Sequence, residues 1–252
     1  MITAGTLTIE KNNKIATVTF GHPSGNSFPA ALLQELTDAL EKLGSDGEIA
    51  LIILKSEGDG PFCAGASFDE LMSISNLEEG TRFFSGFANV INAMRRCPKL
   101  IIGRIQGKAV GGGVGLAAAC DYTFATEQAL IKLSELSIGI GPFVIAPAVE
   151  RKIGLAALSE LTLCPTEWKS SFWAKEKGLY QNVSKNSEIL DDFLNEFASR
   201  LASYNPDALA QMKKALWQNT EHWGTLLHER AAVSGNLVLS DFTRNALRQF
   251  AK

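Results

Sequence analysis

The chain has 252 residues, 46% hydrophobic and 20% charged, enough to bury one sizeable core. Lys plus Arg number 24 against 27 acids, a formal charge of −3. No basic run stands out, which excludes the electrostatic footprint of a nucleic-acid binder. The longest apolar runs, such as Ile49–Leu54, are strand-sized and too short to cross a bilayer. The N-terminus lacks the basic-then-apolar order of a signal peptide, so the expectation is a cytoplasmic protein with no nucleic-acid or membrane partner.

In chain order, "TLTIE" and "KIATVTF" alternate around the polar break "KNN" and predict a hairpin. Ser27 is placed as an N-cap with Pro29 in the first turn of a helix from Ala30 to Leu43, ending at Gly44. "IALIILKS" is a strand buried on both faces, and "FCAGASFDEL" leads from a turn into a helix start. A helix from Thr81 to Cys97 stops before Pro98, "LIIGRIQG" is the next buried strand, and a glycine-led helix follows. "YTFAT" and "ALIKLS" are two further short strands. After Leu136 the strand signals stop and six helical segments remain, which gives an α/β core with a helical extension.

Chemistry is narrowed by what is missing. Cys63, Cys97, Cys120 and Cys164 are widely spaced and predicted to be reduced and mostly buried. There is no Cys-x-x-Cys and no His-Glu-x-x-His, and His22, His222 and His228 are scattered, so no metal site is expected. Neither a Gly-x-Ser-x-Gly elbow nor a phosphate loop is present.

"QGKAVGGGVGLAAACD", Gln106 to Asp121, is the segment that asks for an explanation. One reading is a dinucleotide turn, with "GVGLAA" as the glycine pattern and Glu135 as the ribose acid. Its context disfavours this, because the motif follows at least three strands and no crossover strand carries the acid. The other reading is an anion site built from bare backbone N–H groups at a helix N-terminus. An enolate oxygen needs two converging donors, and "FCAGAS" at Phe62–Ser67 is a second small-residue turn between an apolar strand and a helix.

Taken together, "HPSGNSFPAALLQEL", "FCAGASFDEL", "GKAVGGGVGLAAACDYTFAT", "LSELSIGIGP", "RKIG" and "WAKEKGL" resemble the enoyl-CoA hydratase/isomerase (crotonase) superfamily over nearly the whole chain. The resemblance implies an α/β crotonase (ClpP-like) spiral of ββα units. It divides the chain into a core with the active site, residues 1–190, and a helical oligomerisation region, residues 191–252. It further implies an acyl-CoA thioester as substrate, no cofactor beyond the coenzyme A of that substrate, and a homotrimer or dimer of trimers. The N–H groups of Ala66 and Gly112 become the oxyanion donors, with Ala64, Ala66, Ser67, Phe68, Asp69 and Gly112 on the substrate and Glu135 as the catalytic carboxylate.

Hydratases of that superfamily usually carry two glutamates; Glu135 matches the second, and at the first this chain has Gly115. The sequence resembles a 3-methylglutaconyl-CoA hydratase-like branch, whose substrate carries a second carboxylate of its own. Ser67, Asp69 or Glu70 could stand in for the missing acid. The expected reaction is addition of water to a 2-enoyl-CoA in fatty-acid or leucine breakdown. An isomerase, a decarboxylase or a non-catalytic acyl-CoA-binding protein are the alternatives within the fold. Phe83, Phe84, Phe87, Phe143 and Trp173 are candidate walls for the acyl group, and Trp217, Trp223, Leu226, Leu227 and Val238 are candidates for the trimer contact.

Overall fold

The computed structural model describes residues 4–250. Strands β1 (Thr6–Asn12) and β2 (Ile15–Gly21) form the expected hairpin, with Asn13 and Lys14 at φ 48° and 66° in its two-residue turn. From β2 onward each neighbour is parallel: β3 (Leu51–Ser56), β4 (Leu100–Ile105), β6 (Tyr122–Thr126) and β8 (Asn182–Ser184) complete a six-stranded sheet in the order β1-β2-β3-β4-β6-β8. A second pair, β5 (Ala109–Val110) and β7 (Ile131–Lys132), stands apart from it.

Parallel strands need helical crossovers, and these supply the layers. Helices α1 (Ala30–Gly44), α3 (Leu77–Arg96) and α4 (Gly112–Ala119) bury their apolar faces in one large core with Ile52 and Leu54 of β3. The alternate residues Leu51 and Ile53 meet α7 (Ser187–Ala202) on the other face, through Leu190, Leu194 and Ala198. So β3 is buried on both sides, as its unbroken apolar run predicts. Arg104 of β4 grips Asp191 of α7 with two charge-assisted hydrogen bonds of 2.5 and 2.7 Å, which holds α7 on the sheet.

Several expectations are corrected. Ser27 does not cap α1; its hydroxyl lies 3.0 Å from His22 Nδ1, and the N-cap position is Pro29. The open N-terminus is served from a distance: Ala30 donates its N–H to Glu70 Oε2 at 2.7 Å, from α2 (Phe68–Ser73). Helix α3 starts four residues before Thr81, because Asn76 accepts from the Glu79 N–H and the Glu79 carboxylate accepts from the Ser75 N–H. A strand does occur after Leu136: β8 is three residues long and pairs with the sheet edge, too short to leave a periodicity. "ALIKLS" keeps only the two residues of β7. "LAALSELTL" continues α5 (Ala146–Leu163) across a break at Gly154, φ 75°, and α6 covers only Ser171–Glu176.

The closing helices α8 (Pro206–Leu216), α9 (Trp223–Leu237) and α10 (Asp241–Phe250) fold back on the core. Helix α9 lies along α3 so closely that a Cβ on Gly80 would stand 2.7 Å from the Gly235 carbonyl oxygen. The residues expected at a trimer contact are mostly internal: Trp217, Trp223, Leu227 and Val238 are buried in the chain's own cores. Exposed apolar surface falls elsewhere on these helices, at Met212, Leu216, Val233 and Phe242. Among the described residues no helix is long and apolar enough to cross a membrane.

Asp121, which follows the glycine helix, is the anchor for α8. Its carboxylate accepts from Lys213 Nζ (2.6 Å), Trp217 Nε1 (2.6 Å) and the Ile101 N–H (2.7 Å), while Lys152 Nζ donates to its backbone carbonyl. Asp121 and Lys213 side chains are each 3% exposed, so removing one strands the other charge away from water. Asp121→Ala is expected to lose about 3–5 kcal/mol of stability in urea denaturation; a loss below about 1 kcal/mol would mean that water reaches the pair.

Candidate active site

The site is built on backbone, starting from the turn Phe62–Ser67. Cys63 bridges Ala109 in parallel: its N–H donates to the Lys108 carbonyl and its carbonyl accepts from the Val110 N–H. On the other side Phe28 bridges Ala66, donating to Gly65 O at 2.8 Å and accepting from the Ser67 N–H at 2.9 Å. Strand β5 continues the ladder to β7, where Gly111 donates to the Lys132 carbonyl. Three segments far apart in sequence therefore lie side by side: the Ala66 turn, the start of α4, and the stretch that ends at Glu135.

In such a ladder alternate amides face opposite ways. The Gly65 carbonyl and the Ser67 N–H both engage Phe28, which turns the intervening Ala66 N–H away from that strand. Neither the Ala66 N–H nor the Gly112 N–H meets an acceptor among the described residues. At Gly112 this follows from its place at the first position of α4, where no carbonyl lies one turn back. The two turns touch, since a Cβ on Gly65 would lie 3.1 Å from Val110 O and 3.8 Å from Gly112 N.

The triple glycine has a packing cause as well. A Cβ on Gly111, at φ 52°, would meet Glu135 Oε1 at 2.6 Å, one on Gly112 would run into the Phe87 ring, and one on Gly113 would stand 2.7 Å from Cys63 O. Each bare Cα is a place where another segment closes in, and at Gly111 and Gly112 that neighbour, Glu135 or Phe87, is part of the site.

Glu135 opens a single 3₁₀ turn, Glu135–Ile138, that ends at Gly139 in the left-handed region at φ 83°. Helix α10 packs on this turn: a Cβ on Gly139 would meet Phe242 and Thr243. The residue is half-buried, yet its Oε2 is shielded from solvent and has no hydrogen-bond partner among the described residues. Burial pushes the carboxyl up to about 7, opposed only by its own backbone N–H. The position of the first of the two usual glutamates is closed: a Cβ on Gly115 would collide with the Ile145 side chain.

A cavity of about 150 Å³ joins these parts. Of the predicted site residues, Ala64, Ala66, Phe68, Gly112 and Glu135 line it, whereas Ser67 and Asp69 do not. Ser67 is buried and caps α2, accepting from the Glu70 N–H, and Asp69 is exposed on that helix. Glu70 is engaged at the N-terminus of α1 and does not line the cavity either, so none of the three supplies it with a second carboxylate or a hydroxyl. Among the candidate walls Phe84, Phe87 and Phe143 are present, and Phe83 and Trp173 are not. Sequence reasoning missed Leu71, Ile145 and Ser234, which reach the cavity only through tertiary packing. No group of three or more metal-ligating side chains occurs among the described residues.

The raised Glu135 pKa has a stability consequence. Below about pH 4.5 the carboxyl is protonated in both folded and unfolded chains and costs nothing. Between about 4.5 and 7 the unfolded chain ionises first, so stability falls as the pH rises, and the full penalty stands above 7. Glu135→Gln removes that penalty. Its stability relative to the wild type is expected to improve from pH 4 to pH 8 by up to about 3 kcal/mol in paired urea titrations; a pH-independent difference would show that the carboxyl is not desolvated.

Comparison with known proteins identifies the family and the fold. Residues 10–246 match the family model described as enoyl-CoA hydratase/isomerase. A short-chain-enoyl-CoA hydratase of Clostridium acetobutylicum is 28% identical over 82% of this chain and 79% of its own. A mitochondrial methylglutaconyl-CoA hydratase of Rattus norvegicus is 36% identical over 84% of this chain and 68% of its own. The crystal structure of an enoyl-CoA hydratase from Bacillus halodurans shares the fold with a TM-score of 0.89, covering 96% of this chain and 99% of that one at 22% identity. The chain belongs to the enoyl-CoA hydratase/isomerase family and has the crotonase fold.

Proposed function

We propose that the chain is an acyl-CoA lyase that adds water to a short 2-enoyl-CoA. The observation that carries this reading is an unpaired carboxylate with a pKa near 7, in the same cavity as two unpaired backbone N–H groups. Ala66 and Gly112 hold the thioester oxygen, and in comparable sites each such donor lowers the barrier by roughly 3–4 kcal/mol. Glu135 takes a proton from water as the hydroxide oxygen bonds to the β-carbon. The electron pair of the double bond moves onto the thioester oxygen to form the enolate. Glu135 then returns its proton to the α-carbon, which collapses the enolate. A single group serves both steps because a pKa near 7 leaves it able to accept and to donate. Coenzyme A enters as part of the substrate, and no further cofactor takes part.

An isomerase is the second reading. It needs the same oxyanion hole and only one carboxylate, to move a proton between the α- and γ-carbons, and Ile145 beside Gly115 is what favours it. The lining contains Glu135 and no Lys or Arg, which favours an uncharged acyl group over the 3-methylglutaconyl group suggested by the 36% identical relative. Mass spectrometry of crotonyl-, 3-methylcrotonyl- and 3-methylglutaconyl-CoA after incubation separates the readings. A product heavier by one water, reduced roughly 10²–10⁴-fold in Glu135→Gln, is the expected result. Unchanged mass with a shifted double bond supports the isomerase, and loss of carbon dioxide a decarboxylase. Binding of the thioesters with no turnover would indicate a non-catalytic homologue.

Residues 191–252 serve as the oligomerisation region of a homotrimer or dimer of trimers, supported by the exposed Met212, Leu216, Val233 and Phe242. Light scattering is expected to give three or six times the 27.2 kDa chain mass, and a monomeric mass would remove the proposal.

A further inference from the structure

Two polar atoms in the cavity lining are buried without a hydrogen-bond partner among the described residues, Glu135 Oε2 and Ser234 Oγ. The mechanism uses the first and leaves the second unexplained. Ser234 is 1% exposed, on the inner face of α9. A helical serine can satisfy itself by donating to the carbonyl one turn back, and here it does not. An unpaired buried hydroxyl destabilises the fold, because it has given up water and gained no partner. Apart from Ser134 and Glu135, the side chains that line the cavity with it are aromatic or aliphatic, Phe84, Phe143 and Ile140 among them. The next position, Gly235, lies against the backbone of Gly80 and Thr81, which fixes this part of α9. Alanine would keep the same Cβ at 234 without a stranded hydroxyl.

We propose that Ser234 is a specificity residue whose hydroxyl hydrogen-bonds a neutral oxygen on the acyl chain, beyond the thioester. The proposal rests on reading the cavity as an acyl-CoA site. There the thioester oxygen belongs to Ala66 and Gly112, so the partner of Ser234 is an oxygen further along the chain. A hydroxyl both donates and accepts, so it suits an alcohol or a ketone oxygen equally. A carboxylate is disfavoured, because it would share an apolar cavity with Glu135, and no Lys, Arg or His lines that cavity. The substrate class is thus a short acyl-CoA with an uncharged oxygen substituent.

The test uses unreactive saturated thioesters, so it reads binding without turnover. Calorimetry with the full chain compares 4-hydroxybutyryl-CoA with valeryl-CoA, in which a methyl replaces the hydroxyl, and with glutaryl-CoA. The wild type is expected to bind 4-hydroxybutyryl-CoA roughly tenfold more tightly than either. Ser234→Ala is expected to lose that preference without a lower melting temperature, since the hydroxyl has no partner to lose. Equal binding of 4-hydroxybutyryl- and valeryl-CoA by the wild type would overturn the proposal, as would a preference that survives in Ser234→Ala. Tightest binding of glutaryl-CoA would overturn its neutral-oxygen element, and a lower melting temperature in the variant would show a structural role instead. Failure of every thioester to bind is a different result, which removes the acyl-CoA reading itself.

Discussion

The ladder of backbone hydrogen bonds from Phe28 through Cys63 and Ala109 to Ile131 is the constraint on which the site depends. It is made of single bridges and two-residue strands, and it leaves almost no space between segments. Gly65 lies against Val110, Gly113 against Cys63, and Gly111 against the Glu135 carboxylate. Because backbone meets backbone, the Ala66 and Gly112 N–H groups are fixed by the main chain and need no side-chain ordering. Donors held in this way keep their orientation as charge develops on a bound oxygen, which is the condition for strong stabilisation of an enolate.

The helical extension contributes to the same site rather than standing beside the core. Buried Asp121 binds Lys213 and Trp217 and so ties α8 to the sheet. Helix α9 fits along α3 through the Gly80–Gly235 contact and brings Ser234 to the cavity. Helix α10 rests on the turn that carries Glu135, with Val238 and Leu247 packed beside Leu71, Phe83 and Ile140. A change in any of these helices therefore reaches Glu135 or its surroundings through packed neighbours.

The electrostatic character of the cavity follows from what surrounds one carboxylate. With no cation in the lining and Ile145 where a second acid would stand, desolvation is the dominant influence on Glu135. A second carboxylate at Gly115 would add like-charge repulsion and steric overlap together. The chain has an apolar wall there instead, which leaves Glu135 the single acidic side chain in the lining.

Much of this is legible in the sequence, and the boundary falls at contacts between distant segments. Alternating and unbroken apolar runs identify β1, β2, β3 and β4, because burial on one or two faces writes a periodicity directly into the residues. The two small-residue turns stand out by composition, and Glu135 is singled out by the family resemblance. Three-residue β8 and the two-residue β5 and β7 are too short for any periodicity, and they exist because a neighbouring strand offers open hydrogen bonds. Local signals also misdirect at Ser27, which has the composition of a cap while the α1 N-terminus takes its acceptor from Glu70, forty residues on. The class of fold, its family and the chemical types available can thus be read from the residues alone. That Ser67 and Asp69 stay out of the cavity, that Ile145 closes the space beside Gly115, and that Ser234 enters it are results of packing in three dimensions. Those outcomes depend on interatomic distances between segments, and no local pattern of residues encodes such distances.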